Sequence, residues 1–262
     1  MDFEIIDFHA HPFEIREQNI CRYIDNCNMS IDNTVVTLKN LGITTICGSV
    51  VSVLPISEGE SEWDKVKKLN DSALSLKKRY GDFYIPGFHV HPDFLEESIK
   101  EIDRMASLGV NLIGELVPYL NGWKSYDTEN LHTIIDYATE KGMLVSLHTS
   151  NSDDMDRFVS AHPDTIIVGA HPDEYPTLIR HIERMKKHKN YYLDLSGTGL
   201  FRYGMLRKTI DEVGAERILF GTDYPTCSPA MQVGALLLDQ LITDEERELI
   251  LSKNAKRILN IK

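Results

Sequence analysis

The chain has 262 residues, of which 42% are hydrophobic and 26% are charged; this composition is typical of a folded globular protein and excludes a disordered one. Its formal net charge is −12 and no segment is strongly basic, so we expect no nucleic-acid partner, because a phosphate backbone would be repelled. No apolar segment approaches the roughly 20 residues that span a bilayer, and the N-terminus lacks a secretory signal pattern. We therefore expect no membrane partner and a cytoplasmic location.

Eight β-rich segments recur along the whole chain, about one in every 33 residues. They cover residues 3–8, 43–51, 83–89, 110–116, 143–148, 165–170, 191–195 and 217–222. Most are separated by segments with helical spacing of apolar residues, such as 94–105 and 131–138. Gly109 and Gly142 follow these two segments and are expected to end the helices in left-handed caps.

This alternation predicts an α/β fold: a (β/α)8 TIM barrel that forms a single domain over residues 1–262. The alternative is a doubly wound open sheet. That fold is disfavoured because its glycine-rich phosphate turn after the first strand is missing, and His9-Ala10-His11-Pro12 stands in its place. The loop at 54–64 and the tail at 243–261 do not indicate a second domain.

The first strand places two histidines where they can share one cation. Side chains alternate along a strand, so we expect Ile6, Phe8 and Ala10 to face the helices, with His9 and His11 pointing into the barrel. A His-x-His pair is weak evidence alone, since an ordinary hydrogen-bonded pair has the same pattern. Asp7, on the same inward face, is expected to fix the tautomer of a ligand.

Further candidate ligands fall at the ends of other predicted strands, on the face where barrel enzymes build their sites. The predicted metal ligands are His9, His11, Glu115, His148, His171 and Asp223. Nitrogen and oxygen ligands of this kind suit one or two divalent ions, with zinc as the expected metal. The small residues Ser146, Gly169 and Gly221 are expected to leave room for a metal and a water molecule.

Other polar residues have weaker patterns. His89-Val90-His91, after the third strand, repeats the His-x-His pattern and is a candidate for substrate contact rather than metal binding. Arg202 could pair with a substrate carboxylate or lie exposed, and Cys227 lacks a base partner, so a thiol nucleophile is not expected. His162 precedes the sixth strand and is expected to be structural. His132, His181 and His188 are expected to be solvated on helices.

The four cysteines contain no CxxC pair. They are Cys21, Cys27, Cys47 and Cys227. We expect reduced thiols, with a Cys21–Cys27 disulfide as the alternative.

Several motifs together resemble the amidohydrolase superfamily, and most closely its amidohydrolase-related branch, also called amidohydrolase 2. They are Ile6-Asp7-Phe8-His9-Ala10-His11, Ser146-Leu147-His148-Thr149, Tyr191-Tyr192-Leu193-Asp194-Leu195-Ser196-Gly197 and Phe220-Gly221-Thr222-Asp223-Tyr224-Pro225. The resemblance implies a distorted barrel with one or two divalent ions, usually zinc. It implies that His9, His11 and Asp223 hold the first ion.

By the same resemblance, His148 and His171 hold a second ion, or one of them binds the single ion and the other orients a water molecule. Glu115 departs from the carbamylated lysine that bridges two ions in many members. A glutamate at this position is similar to the metal-dependent deoxyribonucleases of the superfamily, although the charge of −12 disfavours that activity.

These observations predict a metal-dependent hydrolase that acts on a small-molecule amide, ester, lactone or phosphoester. A metal ion would lower the pKa of bound water to roughly 7; Asp223 would accept and return the proton, and His171 is the second candidate catalytic residue. The alternatives are a metal-dependent non-oxidative decarboxylase of a small carboxylate and a catalytically silent binding protein. A small molecule is the expected partner, and a homodimer is expected only because homodimers are common.

Overall fold

The computed structural model of the protein describes residues 3–21, 31–199 and 202–261. Eight parallel strands pair in chain order, each with the next. The strands are β1 Ile5–Asp7, β2 Ile43–Gly48, β3 Tyr84–Phe88, β4 Leu112–Leu116, β5 Leu144–Leu147, β6 Ile167–Gly169, β7 Tyr191–Asp194 and β8 Ile218–Leu219. All eight predicted strands are present, and each is shorter than predicted at one or both ends.

Helices connect the strands on the outside. They are α1 Ile31–Asn40, α2 Glu62–Tyr80, α3 Leu95–Ser107, α4 Glu129–Glu140, α5 Ser152–Ala161, α6 Tyr175–Lys187, α7 Met205–Val213, α8 Pro229–Leu238, α9 Asp244–Glu248 and α10 Asn254–Leu259, with a π-helical turn at Leu249–Lys253. Gly109 and Gly142 have φ angles of 74° and 72°. The predicted left-handed ends after α3 and α4 are therefore confirmed, because this backbone region favours glycine.

Backbone hydrogen bonds between the two end strands close the sheet into a (β/α)8 barrel. The Phe8 amide donates to the Phe220 carbonyl at 2.8 Å, and a parallel bridge joins Ala10 to Tyr224. Closure places the carboxyl ends of all eight strands around one mouth. Within the described ranges, no helix combines the length and apolar character needed to cross a membrane.

Two buried apolar clusters form the core. The larger one contains strand and helix side chains and fills the space between the barrel and its outer helices. The smaller one lies inside the barrel and also includes Ala255, Ile258 and Leu259 of α10. The side chain of Asn254 donates to the carbonyls of Ala215 and Ile218 at 2.7 and 2.8 Å. These contacts fix α10 across the end of the barrel opposite the mouth.

The first strand departs from its predicted alternation. Ile6 and Phe8 belong to the cluster inside the barrel, whereas Ile5 packs with the outer helices. The prediction that Ile6 and Phe8 face the helices is therefore wrong. Regular strand geometry ends at Asp7 and the chain bends at Phe8, which changes the alternation before the histidines.

Three cysteines, Cys21, Cys47 and Cys227, carry free thiols. Cys27 lies outside the described residues, and so does its proposed pairing with Cys21. Cys47 belongs to the cluster inside the barrel.

His181 is buried, which contradicts the expectation that it is solvated. Its exposed fraction is 0%. Its Nδ1 lies 2.8 Å from the Tyr191 hydroxyl, and its Nε2 lies 3.0 Å from Thr149 Oγ1. Burial lowers the pKa of His181 to about 3. The ring therefore stays neutral in the folded protein at pH values where the unfolded chain binds a proton.

We expect His181 to destabilise the protein in mild acid. Above pH 6.5 the ring is neutral in both the folded and the unfolded state, so His181 costs no stability there. As the pH falls from 6.5 towards 3, the unfolded state takes up a proton that the folded state does not bind, and stability is lost. The free energy of unfolding should fall by about 1.4 kcal/mol per pH unit through this residue. Urea unfolding at several pH values should show a shallower dependence for His181→Gln. Parallel curves for the two proteins would contradict this prediction.

Candidate metal centre

The six predicted ligands meet at the mouth of the barrel. His9 and His11 follow β1, Glu115 lies in β4, His148 follows β5, His171 follows β6 and Asp223 follows β8. Five of them form two groups of potential ligand atoms, each within 4.8 Å of one another: His9 with His11 and Asp223, and His9 with Glu115 and His171. The predicted convergence is therefore present, while metal binding by these residues stays a prediction.

The first group is built on the His-x-His pair. The Nε2 atoms of His9 and His11 are 3.0 Å apart. Asp223 Oδ1 lies 3.8 Å from Nε2 of His9 and 3.6 Å from Nε2 of His11. Three potential ligand atoms thus surround one point, contributed by the two end strands that close the barrel.

Hydrogen bonds on the far side of each ring fix the tautomers of this pair. Nδ1 of His9 lies 2.9 Å from Asp194 Oδ2, and Nδ1 of His11 lies 3.0 Å from the Ser49 carbonyl. A carboxylate and a carbonyl can only accept, so both Nδ1 atoms carry the proton. Nε2 of each ring is therefore the atom that can bind a cation, and the two Nε2 atoms lie close enough together to share one.

Glu115 connects the first group to the second. Its Oε2 lies 3.5 Å from His9 Nε2 and 3.4 Å from His11 Nε2. Its Oε1 lies 3.2 Å from His171 Nε2 and 2.9 Å from His148 Nδ1. The carboxylate therefore faces all four histidines, two through each oxygen.

His148 is the one predicted ligand outside both groups. It contacts Glu115 directly, and its ring packs edge-on against His171 with centroids 4.9 Å apart. Its side chain is 23% exposed, against 8% for His171. His148 therefore occupies the more open side of the mouth.

Electrostatics favour a positive charge at this centre. Burial by itself would lower the pKa of His9, but the Asp194 and Glu115 carboxylates raise it well above its usual range. Burial would lower the pKa of His171 as well, but Glu115 raises it to about 9. Burial would raise the pKa of Glu115, but His9 and His148 hold it well below its usual range. A divalent cation would supply the positive charge that this environment stabilises.

The spacing of these atoms also fits a metal ion. Ligand atoms at roughly 2.0–2.2 Å from a tetrahedral ion lie about 3.4 Å apart. The separations among His9, His11 and Asp223 range from 3.0 to 3.8 Å. The donor set of imidazole nitrogen and carboxylate oxygen is accepted by zinc and by manganese, so it does not select between them.

Sequence reasoning missed Asp194, which orients two of the candidate ligands. Besides its contact with His9, it accepts a hydrogen bond through Oδ1 from the Ser196 hydroxyl. That hydroxyl lies 3.0 Å from His171 Nδ1. The role assigned to Asp7 was wrong, because Asp7 instead accepts from the backbone and hydroxyl of Thr222 and from the His9 amide. The position of Asp194 at the end of β7 was the available signal.

Two candidate residues lie in unusual backbone conformations. His171 and Asp223 have φ angles of 66° and 58°, in the left-handed region that side chains other than glycine rarely adopt. His171 lies two residues beyond the end of β6, and Asp223 lies four residues beyond the end of β8. Such strain is typical of functional sites, where the surrounding structure holds a side chain in place.

The three small residues that were expected to leave room for a metal, Ser146, Gly169 and Gly221, have different roles. A β-carbon at Gly221 would lie 2.8 Å from the His9 β-carbon, so glycine is needed for the close approach of His9. A β-carbon at Gly169 would instead meet the Tyr191 hydroxyl at 2.0 Å. The expectation that Gly169 leaves room for a metal is therefore wrong. Ser146 does line the small cavity beneath the histidines, together with Phe8.

Cys227 and Arg202 lie near the strand ends without belonging to either ligand group. Burial raises the pKa of the Cys227 thiol to about 11, and its Sγ lies 3.7 Å from Asp223 Oδ2. The thiol is therefore protonated at neutral pH, in agreement with the expectation that it is no nucleophile. Arg202 is half exposed and forms an ion pair with Glu174.

His162 and His171 share a His-Pro context but lie in different environments. His162 directly follows α5, and its ring contacts His132 at 2.8 Å and Asp136 at 3.0 Å. Replacing each with asparagine should abolish turnover only at 171, once a substrate is known. Steady-state kinetics on folded variants would check this, and equal losses at both positions would contradict it.

Comparisons with known proteins agree with this architecture. A family model described as amidohydrolase matches residues 6–261. Curated proteins give no match to the sequence. Among solved structures, a 2,6-dihydroxybenzoate decarboxylase from Rhizobium is 16% identical, with a TM-score of 0.73 and coverage of 98% of this chain and 99% of that chain.

Two further structures are similar. An uncharacterised TIM-barrel protein from Bordetella bronchiseptica is 21% identical, with a TM-score of 0.75 and coverage of 98% of both chains. A dihydroxybenzoic acid decarboxylase from Polaromonas sp. JS666, with bound manganese and the inhibitor 2-nitroresorcinol, is 16% identical, with a TM-score of 0.72 and coverage of 98% of this chain and 97% of that chain. At these identities the likeness shows the fold.

Proposed function

Since this chain belongs to the amidohydrolase family, we propose that it is a metal-dependent, non-oxidative decarboxylase of a small carboxylic acid. The observation that carries the proposal is the likeness, over nearly the whole of each chain, to decarboxylases of hydroxylated benzoic acids. A hydrolase was the first expectation from the sequence, with decarboxylation as its alternative. These relatives favour the alternative.

His9, His11 and Asp223 are the residues that we assign to hold the ion. They provide three ligand atoms, and a site with three protein ligands keeps a position for substrate. When bound, a divalent ion would polarise and orient a substrate carboxylate or hydroxyl oxygen. Manganese, which one relative binds, fits this donor set as well as the zinc expected from the sequence.

The protein's own residues must then replace the departing carbon dioxide with a proton. His171 is the group that we assign to deliver it, because its Nε2 faces the centre, 3.2 Å from Glu115 Oε1. Its Nδ1 is held by Ser196, which keeps the ring oriented during proton transfer. Positioned general acid catalysis of this kind contributes about 10²–10⁴-fold.

One observation favours hydrolysis as the second candidate function. Glu115 faces His9 and His11 through one oxygen and His148 and His171 through the other. A carboxylate in that position can bridge two ions, and a pair of ions activates water for hydrolysis. The two candidate functions therefore predict different metal contents, one ion per chain for decarboxylation and two for hydrolysis.

The test combines metal content with product analysis. Protein loaded with Mn²⁺, and separately with Zn²⁺, would be assayed for metal per chain by mass spectrometry. The same samples would be tested for release of carbon dioxide from 2,6-dihydroxybenzoate and related hydroxybenzoates, and for hydrolysis of an aryl ester and a lactone. We expect one ion per chain and carbon dioxide release. Two ions with hydrolysis alone would overturn the proposal in favour of the second candidate.

A further inference from the structure

A second His-x-His pair, His89 and His91, follows β3 at the same mouth. Both side chains are about 1% exposed. Buried polar groups normally have hydrogen-bond partners, and the two rings differ in the partners that the protein gives them.

His91 is fully satisfied by the protein. Its Nε2 lies 2.8 Å from the Asn121 carbonyl, to which it donates. Its Nδ1 accepts from the Asp93 amide at 3.1 Å. Neither ring nitrogen remains available to a ligand.

His89 differs at one atom. Its Nε2 lies 2.8 Å from the Val50 carbonyl, which can only accept, so Nε2 carries the proton. Burial lowers the pKa of His89 to about 4, so the ring is neutral and Nδ1 keeps a lone pair. That Nδ1 is buried and has no hydrogen-bond partner among the described residues.

The strand geometry turns His89 to the inside of the barrel, and the charges of His11 and Glu115 act on its ring. Tyr84 and Phe88 belong to the outer cluster, and Ile85 packs against the cluster inside the barrel. Val90 also belongs to the outer cluster, so the alternation continues past the end of β3 and places position 89 on the inner face, at the mouth. Its partner Val50 is adjacent to Ser49, whose carbonyl binds His11 Nδ1 at 3.0 Å.

Ser49 adds a second polar group without a partner. Its hydroxyl is buried, and it has no hydrogen-bond partner within the described ranges. Ser49 and His89 thus border the first ligand group on the side of β2 and β3, with one hydroxyl group and one acceptor nitrogen that no described residue satisfies.

We propose that His89 Nδ1 accepts a hydrogen bond from a hydroxyl group of the substrate, which makes His89 a residue that determines specificity. This inference rests on the proposed function and deepens it by naming a residue that recognises the substrate. A buried acceptor without a donor is costly. A substrate that lacks the hydroxyl leaves that cost in place, and sites of this kind therefore reject the analogue.

The test uses two ligands that differ by one hydroxyl group, 2-nitroresorcinol and 2-nitrophenol, with the Mn²⁺-loaded protein and isothermal titration calorimetry. We expect the wild type to prefer 2-nitroresorcinol by about 10-fold, the value of one net hydrogen bond. His89→Leu should lose this preference. His89→Gln should keep it, because its amide can donate to Val50 and still present an oxygen acceptor.

His91→Gln is the matched control and should retain the wild-type preference, since the protein already satisfies both nitrogens of His91. Metal content and thermal melting would establish that each variant is folded and loaded. If His89→Leu does not fold, the ¹⁵N shift of Nδ1 in the Zn²⁺-loaded wild type replaces it. That shift should move on addition of 2-nitroresorcinol and remain unchanged with 2-nitrophenol.

The outcomes separate this inference from the proposed function. A preference that survives in His89→Leu, or a wild type that binds both ligands equally or neither, would overturn the inference. Carbon dioxide release from a hydroxybenzoate would leave the proposed function standing in that case. A His89-dependent preference without any decarboxylation would support the subsite and count against the proposed function.

Discussion

Replacing His9 with alanine is expected to leave the barrel folded but unable to retain a divalent ion. His9 is the one residue common to both candidate ligand groups, so its loss removes a ligand from each. Changes at residues that only orient a ligand cost about 10–100-fold in metal affinity. Loss of His9 itself should therefore cost more than about 100-fold and reduce turnover to the background level. Metal titration followed by gel filtration and mass spectrometry would measure this.

Asp194→Asn provides a graded control for His9→Ala. The amide can still accept from His9 Nδ1 but no longer carries the negative charge, so we expect a smaller loss, within the 10–100-fold range. A His9→Ala protein that retains one full equivalent of metal would show that the ion is held elsewhere. A loss for Asp194→Asn equal to that for His9→Ala would contradict its assignment as an orienting residue.

Replacing Glu115 with glutamine is the second change with a large expected effect. Glu115 is the carboxylate that faces all four histidines, and the amide removes its charge. Under the proposed function, the ion at His9, His11 and Asp223 remains but binds more weakly. We expect a reduction in kcat of about 100-fold or more with a smaller change in KM, because His171 loses its partner in the chemical step.

Metal content of the same variant distinguishes the two candidate functions. A fall from two ions per chain to one, as the bridging interpretation predicts, would support hydrolysis and contradict the one-ion proposal. Glu101→Gln is a suitable control. Glu101 is another buried carboxylate, and its partners are Asn70 and Arg104 rather than any of the six candidate ligands, so its replacement should affect stability and leave metal content unchanged.

The fold could be predicted because its pattern is local. Each strand is a short apolar segment and each helix has its own spacing and end signals, as at Gly109 and Gly142. The eightfold repetition then leaves few topologies. The convergence of His9, Glu115, His171 and Asp223 followed from one rule, that parallel strands end at a common face.

The errors concern contacts that no local pattern encodes. Ile6 and Phe8 were assigned to the wrong face because a bend at Phe8 interrupts the alternation. Asp194 was missed because its partner His9 is 185 residues away in sequence. The helical pattern predicts a solvated His181, whereas in the structure its ring contacts Thr149, which follows β5, and Tyr191, which lies in β7.

The closed lower end of the barrel has a consequence for the order of events in turnover. Ile6 and Phe8 fill the interior beneath His9, Ile258 and Leu259 lie across the far end, and a barrel filled in this way is a packed core rather than a pore. Under the proposed function, substrate and organic product therefore enter and leave through the mouth and bind at the same ion. Each product molecule has to depart before the next substrate arrives, which makes the organic product a competitive inhibitor with respect to its own precursor.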